Sequence, residues 1–141
     1  MTRILVLCTG NSCRSQMAEA FLNHFGNGQI EAFSAGVSPS SLNPRAVKVM
    51  AEAGLDISHQ KSNHVDDYLK ESFDLVITVC DHAKETCPVF PNSKIVQHKS
   101  FEDPADAIGT EEEILETFRI IRDQLNSYCL QLTNELNPVL E

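Results

Sequence analysis

The stretch Ile4-Leu5-Val6-Leu7-Cys8-Thr9-Gly10-Asn11-Ser12-Cys13-Arg14-Ser15 decides how this chain folds. Its first four residues are apolar and partly β-branched, which is typical of a parallel strand covered on both faces. After Ser15, residues 16–22 include good helix formers with apolar positions at helical spacing. Between the two, Gly10 and Asn11 favour a left-handed backbone turn. The sequence therefore predicts a strand, a tight loop and a helix.

The loop in this unit has the composition of an anion site. Successive backbone N–H groups that turn into a helix point inward and, with the helix dipole, attract a tetrahedral oxyanion. Arg14 can hold two oxygens of the anion through its guanidinium fork. Cys8 stands at the loop entrance in the same positive field, which stabilises the nucleophilic thiolate. We predict that Cys8 attacks a bound oxyanion. The predicted binding residues are Thr9, Gly10, Asn11, Ser12, Cys13 and Arg14.

Each of the two key residues also has an ordinary structural explanation. A cysteine that ends a buried strand usually packs as a small hydrophobic side chain, and an arginine in a first helical turn usually lies at the surface. The spacing Cys8-x5-Arg14 between an apolar strand and a helix is more specific than either residue alone. It favours a functional loop.

Length and composition limit the class of protein. The 141 residues suffice for one domain, 1–141, with a single core. No apolar run approaches the ~20 residues that a membrane span needs, and no export signal is recognisable. We therefore expect a cytoplasmic protein with no membrane partner, whose five cysteines are reduced. The net charge of −9 opposes binding to nucleic acid.

Predicted strands and helices alternate along the chain, which implies a parallel sheet with right-handed crossovers. In such sheets, ligands bind beyond the carboxyl ends of the strands. Cys8 and Cys80 each end a predicted strand, so both should lie at that edge. The predicted strands are 4–7, 29–35, 73–80 and 94–97. The predicted helices begin at Ser15, at Pro44 after an Asn43 cap, at Asn63 and at Thr110, and the last two end near Lys70 and Leu136.

A second cysteine motif follows the third predicted strand. The stretch Cys80-Asp81-His82-Ala83-Lys84-Glu85-Thr86-Cys87 places two thiols seven residues apart across a polar segment. A zinc site is disfavoured, because cysteine ligands usually stand two to four residues apart and four ligands are needed. No metal or other cofactor is expected. Two unrelated thiols are the alternative, but a dithiol that closes into a disulfide fits this position better.

A carboxyl group follows the fourth predicted strand in Asp103-Pro104. An Asp-Pro pair is most often only a turn. A carboxyl on a loop that projects from the strand ends can also protonate a leaving oxygen.

Residues 8–19 resemble the phosphate loop of low-molecular-weight protein tyrosine phosphatases, and more closely that of the thioredoxin-coupled arsenate reductases of the same superfamily. The resemblance spans essentially the whole chain. It implies a phosphotyrosine phosphatase I-like fold, a flavodoxin-like three-layer α/β domain with a central four-stranded parallel sheet. It also implies that Cys8 attacks arsenate, that Asp103 assists the loss of water and that Ser15 bonds the Cys8 thiolate. A helix N-cap is the other role considered for Ser15.

The same resemblance implies a route for the electrons. Cys80 attacks the adduct of Cys8 with arsenic, arsenite leaves, and a Cys8–Cys80 disulfide remains. Cys87 then resolves this bond, and thioredoxin reduces the resulting Cys80–Cys87 disulfide.

Two other functions stay open at this point. One is a low-molecular-weight protein tyrosine phosphatase that acts through a Cys8 phosphoenzyme. Phosphatases of this type typically follow Asp-Pro with paired tyrosines, whereas Ala105 and Asp106 stand here, which counts against an aryl phosphate substrate. Weak phosphatase activity is expected in any case, because phosphate and arsenate are nearly isosteric. The other is a non-catalytic module, either anion-binding or redox-regulated, which would bind oxyanions tightly without turnover.

Overall fold

The computed structural model describes residues 1–81 and 93–140, with side chains as far as residue 136. In these ranges four parallel strands form one sheet in the order β2-β1-β3-β4. The strands are β1 (Thr2–Cys8), β2 (Ile30–Gly36), β3 (Phe73–Thr78) and β4 (Ser93–His98), and the α-helices are α1 (Arg14–Gly26), α2 (Pro44–Glu52) and α3 (Glu111–Leu140). Two 3₁₀ helices span Val65–Tyr68 and Pro104–Asp106.

Strand β1 lies at the centre of the sheet because its side chains are apolar on both faces. Its residues 4–7 are fully buried, and β2 and β3 pair with it on either side. In the register of the sheet, Leu7 lies opposite Thr78 at the end of β3. The loop that follows β1 therefore begins beside the chain that follows β3.

Neighbouring residues of β2 show that helical segments cover both faces of the sheet. Successive side chains of a strand point to opposite faces. The hydroxyl of Ser34 donates to the carboxylate of Glu19 in α1, whereas the ring of Phe33 packs against Tyr68 of the first 3₁₀ helix at 5.8 Å between centroids. The predicted three-layer α/β fold with a four-stranded parallel sheet is thus confirmed.

Several helix ends follow their local sequence as predicted. Asn43 caps α2 by accepting from the N–H of Arg45 at 2.8 Å, with Pro44 at the first helical position. Thr110 and Glu113 form a reciprocal capping box before α3, with both bonds at 3.2 Å.

Other boundaries differ from the prediction. The segment predicted as a helix from Asn63 to Lys70 contains only the 3₁₀ helix Val65–Tyr68, in which Val65 alone is buried. So short a segment with one core contact cannot offset the cost of nucleating an α-helix. Strand β3 ends two residues before Cys80, and α3 continues four residues beyond the predicted end. In the described ranges no helix is both long enough and apolar enough to span a membrane.

Helix α3 gives a direct test of the core. Phe118 is fully buried, and we expect Phe118→Ala to lower the free energy of unfolding by about 3–5 kcal/mol through lost contacts and a residual cavity. Ile120 on the same helix is 50% exposed. Ile120→Ala is the matched control and should change stability by about 0.5 kcal/mol or less. Urea unfolding followed by circular dichroism measures both, and equal effects would contradict this packing of α3.

Candidate active site

The loop between β1 and α1, residues 8–14, is held by hydrogen bonds to its carbonyl oxygens. The segment 37–43 runs alongside, and its backbone N–H groups donate to loop carbonyls at 2.8–3.2 Å. The described peptide bonds are all trans, and in a trans peptide the C=O and N–H groups point in opposite directions. Where the carbonyl of a loop residue points outward, the N–H group of the next residue therefore points inward. The loop therefore presents a concave row of N–H donors. The donor–acceptor pairs are Val37 to Cys8, Ser38 to Thr9, Ser40 to Gly10 and Asn43 to Ser12.

Asn11 reverses the direction of the chain in the middle of this loop. It is fully buried, with a φ of 50° in the left-handed region that asparagine tolerates. Its carbonyl oxygen accepts from the side chains of Gln16 at 2.9 Å and Ser62 at 2.7 Å. Its side-chain oxygen accepts from the N–H of Asn63 at 2.8 Å. Sequence reasoning identified the turn but missed these three partners, because Ser62 and Asn63 lie 51 and 52 residues away along the chain and Gln16 lies in α1.

The sulfur of Cys8 is buried and faces two hydrogen-bonding groups. The Oγ of Ser15 lies 2.8 Å from Sγ, and the N–H of Asn11 donates to Sγ at 3.1 Å. The Nδ2 of Asn11 donates to the Ser15 oxygen at 2.7 Å. The hydroxyl proton of Ser15 is therefore available to the sulfur. Ser15 is not the N-cap of α1, since the helix begins at Arg14 and its N-cap is Cys13.

Arg14 connects the loop to the carboxyl group predicted from sequence. Its Nη1 donates to the carbonyl of Phe101 at 2.9 Å, and its Nη2 lies 3.3 Å from Oδ2 of Asp103. The other oxygen of Asp103 accepts from the N–H of Ala105 and so caps the second 3₁₀ helix. Arg14 is almost completely buried, whereas about a third of the Asp103 side chain is exposed. Asp103 therefore lies at the solvent side of the guanidinium.

Cys80 lies beside the loop, two residues beyond the end of β3, the strand next to that of Cys8. The N–H of Val79 donates to the carbonyl of Leu7 at 2.9 Å, which holds the chain after β3 against the end of β1. The Sγ of Cys80 then lies 3.3 Å from Oγ1 of Thr9, the residue that follows Cys8. The sequence analysis placed both cysteines at this edge. Cys87, the third predicted cysteine, lies outside the described residues.

The two remaining described cysteines, Cys13 and Cys129, are both buried. Burial raises the pKa of the Cys13 thiol to about 12, and it does the same for Cys129 in α3. Both side chains are therefore neutral thiols at neutral pH. Among the described residues, no group of three or more His, Cys, Asp or Glu side chains is arranged to hold a metal ion.

A glycine that the sequence analysis did not single out lies behind the loop. A Cβ atom on Gly36 would lie 2.5 Å from the carbonyl oxygen of Thr9 and 3.0 Å from the nitrogen of Asn11. Only a residue without a side chain lets β2 approach the loop so closely. The Ser-rich segment that follows could have suggested a turn, but no local signal indicates this contact.

Comparisons with known proteins show which families this chain resembles. The profile of the family described as low molecular weight phosphotyrosine protein phosphatase matches residues 3–139. The arsenate reductase of Halalkalibacterium halodurans is 47% identical over 122 residues, which are 86% of this chain and 88% of that protein. A solved structure of an arsenate reductase in the phosphate binding state has a TM-score of 0.83 at 32% identity and covers 96% of this chain and 98% of its own. The YwlE arginine phosphatase, solved as a mutant with a phosphorylated active site serine, has a TM-score of 0.77 at 26% identity and covers 100% of both chains.

The close approach of Gly36 predicts a specific effect on anion binding. Gly36→Ala should push the Thr9 carbonyl and the Asn11 N–H out of place. Losing one hydrogen bond to a charged group costs about 1.5–3 kcal/mol, so the affinity for inorganic phosphate should fall about tenfold or more. Titration calorimetry measures this. Gly54→Ala is the control, since φ of 84° makes it costly to stability but Gly54 lies outside the loop. Equal phosphate affinity in both variants would contradict the geometry.

The raised pKa values predict which cysteines resist alkylation. A thiol with a pKa of about 12 has roughly one thiolate in ten thousand molecules at pH 8, and the thiolate is the reactive form. Iodoacetamide at pH 8 should therefore leave Cys13 and Cys129 of the native protein unmodified. Mass spectrometry of tryptic peptides reads the outcome, with fragment ions separating Cys13 from Cys8. Alkylation of Cys13 as fast as in the urea-unfolded chain would contradict its burial.

Proposed function

The chain belongs to the low molecular weight phosphotyrosine protein phosphatase family, and from this premise we propose that it reduces arsenate to arsenite with thioredoxin as the reductant. The observation that carries the proposal is the second sulfur at the loop, Cys80, beside Thr9. A hydrolytic phosphatase needs a nucleophile, an arginine and an acid, but no second thiol. The relative from Halalkalibacterium halodurans is an arsenate reductase at 47% identity, which supports the same function.

The first step is the capture of arsenate by the loop. The inward N–H groups of residues 9–14 and the guanidinium of Arg14 supply donors for the tetrahedral anion. Local donors are essential here, because a net charge of −9 repels anions at long range. Bound in this way, the arsenic atom lies above the sulfur of Cys8.

The second step forms a covalent adduct. The thiolate of Cys8, which faces the hydroxyl of Ser15 and the N–H of Asn11, attacks arsenic and forms a sulfur–arsenic bond. One arsenic–oxygen bond breaks, and Asp103 supplies the proton with which the oxygen leaves as water. Arsenic is still pentavalent in this adduct.

The third step moves two electrons. The thiolate of Cys80 attacks the sulfur of Cys8 and forms a disulfide, while the sulfur–arsenic bond breaks. The bonding pair stays on arsenic, which leaves as trivalent arsenite. The sulfurs of Cys8 and Cys80 together lose the two electrons that arsenic gains. Cys87 then attacks the sulfur of Cys80 and frees Cys8. The Cys80–Cys87 disulfide takes two electrons from the dithiol of thioredoxin, and the cycle closes.

Phosphatase activity is the alternative that one comparison favours. The YwlE arginine phosphatase has the same fold and is 26% identical to this chain. The loop 8–14 with its arginine, together with the acid Asp103, would suffice to form a phosphoenzyme at Cys8. Ala105 and Asp106, both exposed, stand where phosphatases of this type carry paired tyrosines, so a phosphotyrosine side chain would find no aromatic ring at these positions. We propose phosphatase turnover only as a weak side activity, in a cytoplasmic enzyme whose cysteines the cell keeps reduced.

Removal of the second thiol separates the two functions. Cys80→Ser and Cys87→Ser should each lower thioredoxin-dependent arsenate turnover at least about a hundredfold, because the relay residues act as a unit. Hydrolysis of p-nitrophenyl phosphate should survive, since it needs only Cys8, Arg14 and Asp103. Cys129→Ala is the matched control, with a cysteine removed from the core of α3, and should retain both activities.

A mass measurement gives an independent test of the electron route. Arsenate treatment of the reduced enzyme without thioredoxin should link the tryptic peptides 71–84 and 85–94 with the loss of two hydrogens. Full arsenate turnover by both serine variants would show that the relay is wrong. Oxyanion binding with no turnover of arsenate or phosphate ester by the wild type would instead favour a non-catalytic module.

A further inference from the structure

A single imidazole ties the chain on both sides of Cys80 to the neighbouring strand. His98 ends β4 and lies opposite Thr78, which ends β3. Its Nδ1 is 2.7 Å from Oγ1 of Thr78, and its Nε2 is 3.0 Å from Oδ1 of Asp81. Thr78 precedes Cys80 by two residues, and Asp81 follows it directly. We call this set of three side chains, Thr78, His98 and Asp81, the Cys80 bracket.

Donors and acceptors determine how the bracket is bonded. An ionised carboxylate only accepts, so Nε2 of His98 must donate to Asp81. Nδ1 then accepts from the hydroxyl of Thr78, and the neutral imidazole satisfies both bonds. The hydroxyl of Thr78 also lies 3.4 Å from the carbonyl of Gln97. When the hydroxyl donates there, a protonated imidazole can donate through both nitrogens, so the bracket survives either charge state of the ring.

The bracket stands where the regular pairing of the sheet ends. The carbonyl of Val79 accepts from the N–H of Phe101 at 3.0 Å, which is the last described backbone bond between the β3 and β4 sides before Cys80. After this bond, the next described contact between the chain and the sheet is that of the Asp81 carboxylate with His98. The backbone bonds of Val79 on one side of Cys80 and the contact of Asp81 with His98 on the other therefore both hold the chain that carries this sulfur.

The bracket contributes little to global stability. The Asp81 side chain is 77% exposed, and contacts of such exposed polar groups add little to the free energy of unfolding. The imidazole of His98 contacts residues on both sides of Cys80. These contacts are therefore better explained by a role in positioning Cys80 than by a role in stabilising the fold.

We propose that His98 is a positioning residue that holds Cys80 against Thr9, so that its sulfur is aimed at Cys8 when the arsenic adduct forms. This inference rests on the proposed arsenate reduction. It assigns to His98 a part in the third step alone, with no part in oxyanion binding or in the attack by Cys8. Capture of the anion should therefore be independent of His98, and electron transfer should depend on it.

Single-turnover kinetics isolate that step. Reduced enzyme mixed with excess arsenate, without thioredoxin, releases one arsenite per molecule through the thiols of Cys8 and Cys80. In His98→Ala and Asp81→Ala, the rate constant of arsenite release should fall about ten- to hundredfold, which is the scale expected for a misplacement near 1 Å. The arsenate concentration at half-maximal rate should not change, and neither should hydrolysis of p-nitrophenyl phosphate.

Conservative variants and a matched control separate position from folding. His98→Asn keeps a polar atom near Nδ1 for Thr78, and His98→Gln keeps one near Nε2 for Asp81. His98→Gln should restore most of the rate, because the contact with Asp81 acts beyond Cys80. Lys94→Ala removes the 3.0 Å pair with Asp74 at the opposite end of the same two strands. It should leave every rate as in the wild type.

A second measurement does not depend on arsenate. In a Cys8→Ser background, Cys80 is the one cysteine of the tryptic peptide 71–84. Its alkylation by iodoacetamide should become severalfold faster in His98→Ala, since Cys80 is 5% exposed while the bracket holds it. If the wild type releases no arsenite, the proposed function fails, and this measurement alone decides about His98. Unchanged alkylation together with unchanged arsenite release in His98→Ala would overturn the inference.

Discussion

The carbonyl oxygens of the loop 8–14 must all find partners outside the loop, and the rest of the site depends on this constraint. Buried carbonyls are costly unless they accept a hydrogen bond. Backbone N–H groups of the segment 37–43 donate to four of these carbonyls. The side chains of Gln16 and Ser62 donate to the carbonyl of Asn11. With the carbonyls held outward, the N–H groups turn inward, and in our proposal they bind the oxyanion. The residues of the loop are contiguous in sequence, yet the hydrogen bonds that shape the loop come mostly from other segments.

The order of the strands explains why several reactive groups meet at one edge. Parallel strands direct their carboxyl ends to the same side of the sheet, and ligands bind there. The end of β1 carries Cys8, the chain after β3 carries Cys80, and the chain after β4 carries Asp103. Each strand end therefore adds one group to a common site. On the β2 side of the site, Gly36 lies in close contact with Thr9.

The division of labour in the site separates two kinds of chemistry. A loop of N–H donors, an arginine and a carboxyl group serve any transfer of a tetrahedral oxyanion to sulfur. What differs is the fate of the covalent adduct, which water attacks in a phosphatase and a thiol attacks in our proposal. The second thiol is positioned from the β3–β4 side, through Thr78, His98 and Asp81, whereas the loop is positioned from the β2 side. In our proposal, capture of the oxyanion and transfer of electrons can therefore be changed independently by mutation.

The sequence by itself determined the strand–loop–helix unit, the alternation that produces a parallel α/β sheet, the caps of α2 and α3, and the residues that carry the proposed chemistry. These features depend on periodicity, spacing and local hydrogen bonds, which neighbouring residues already contain. The tertiary structure alone decided the partners of Asn11, the need for glycine at 36, the pairing of Arg14 with Asp103 and the bracket around Cys80. Apart from the local contacts of Asn11 with Ser15 and Gln16, each of these joins segments separated by 17 to 89 residues, as with Asp81 and His98 or Arg14 and Asp103. No local pattern encodes such contacts, because they arise only when the packing of the sheet brings distant backbone and side chains together.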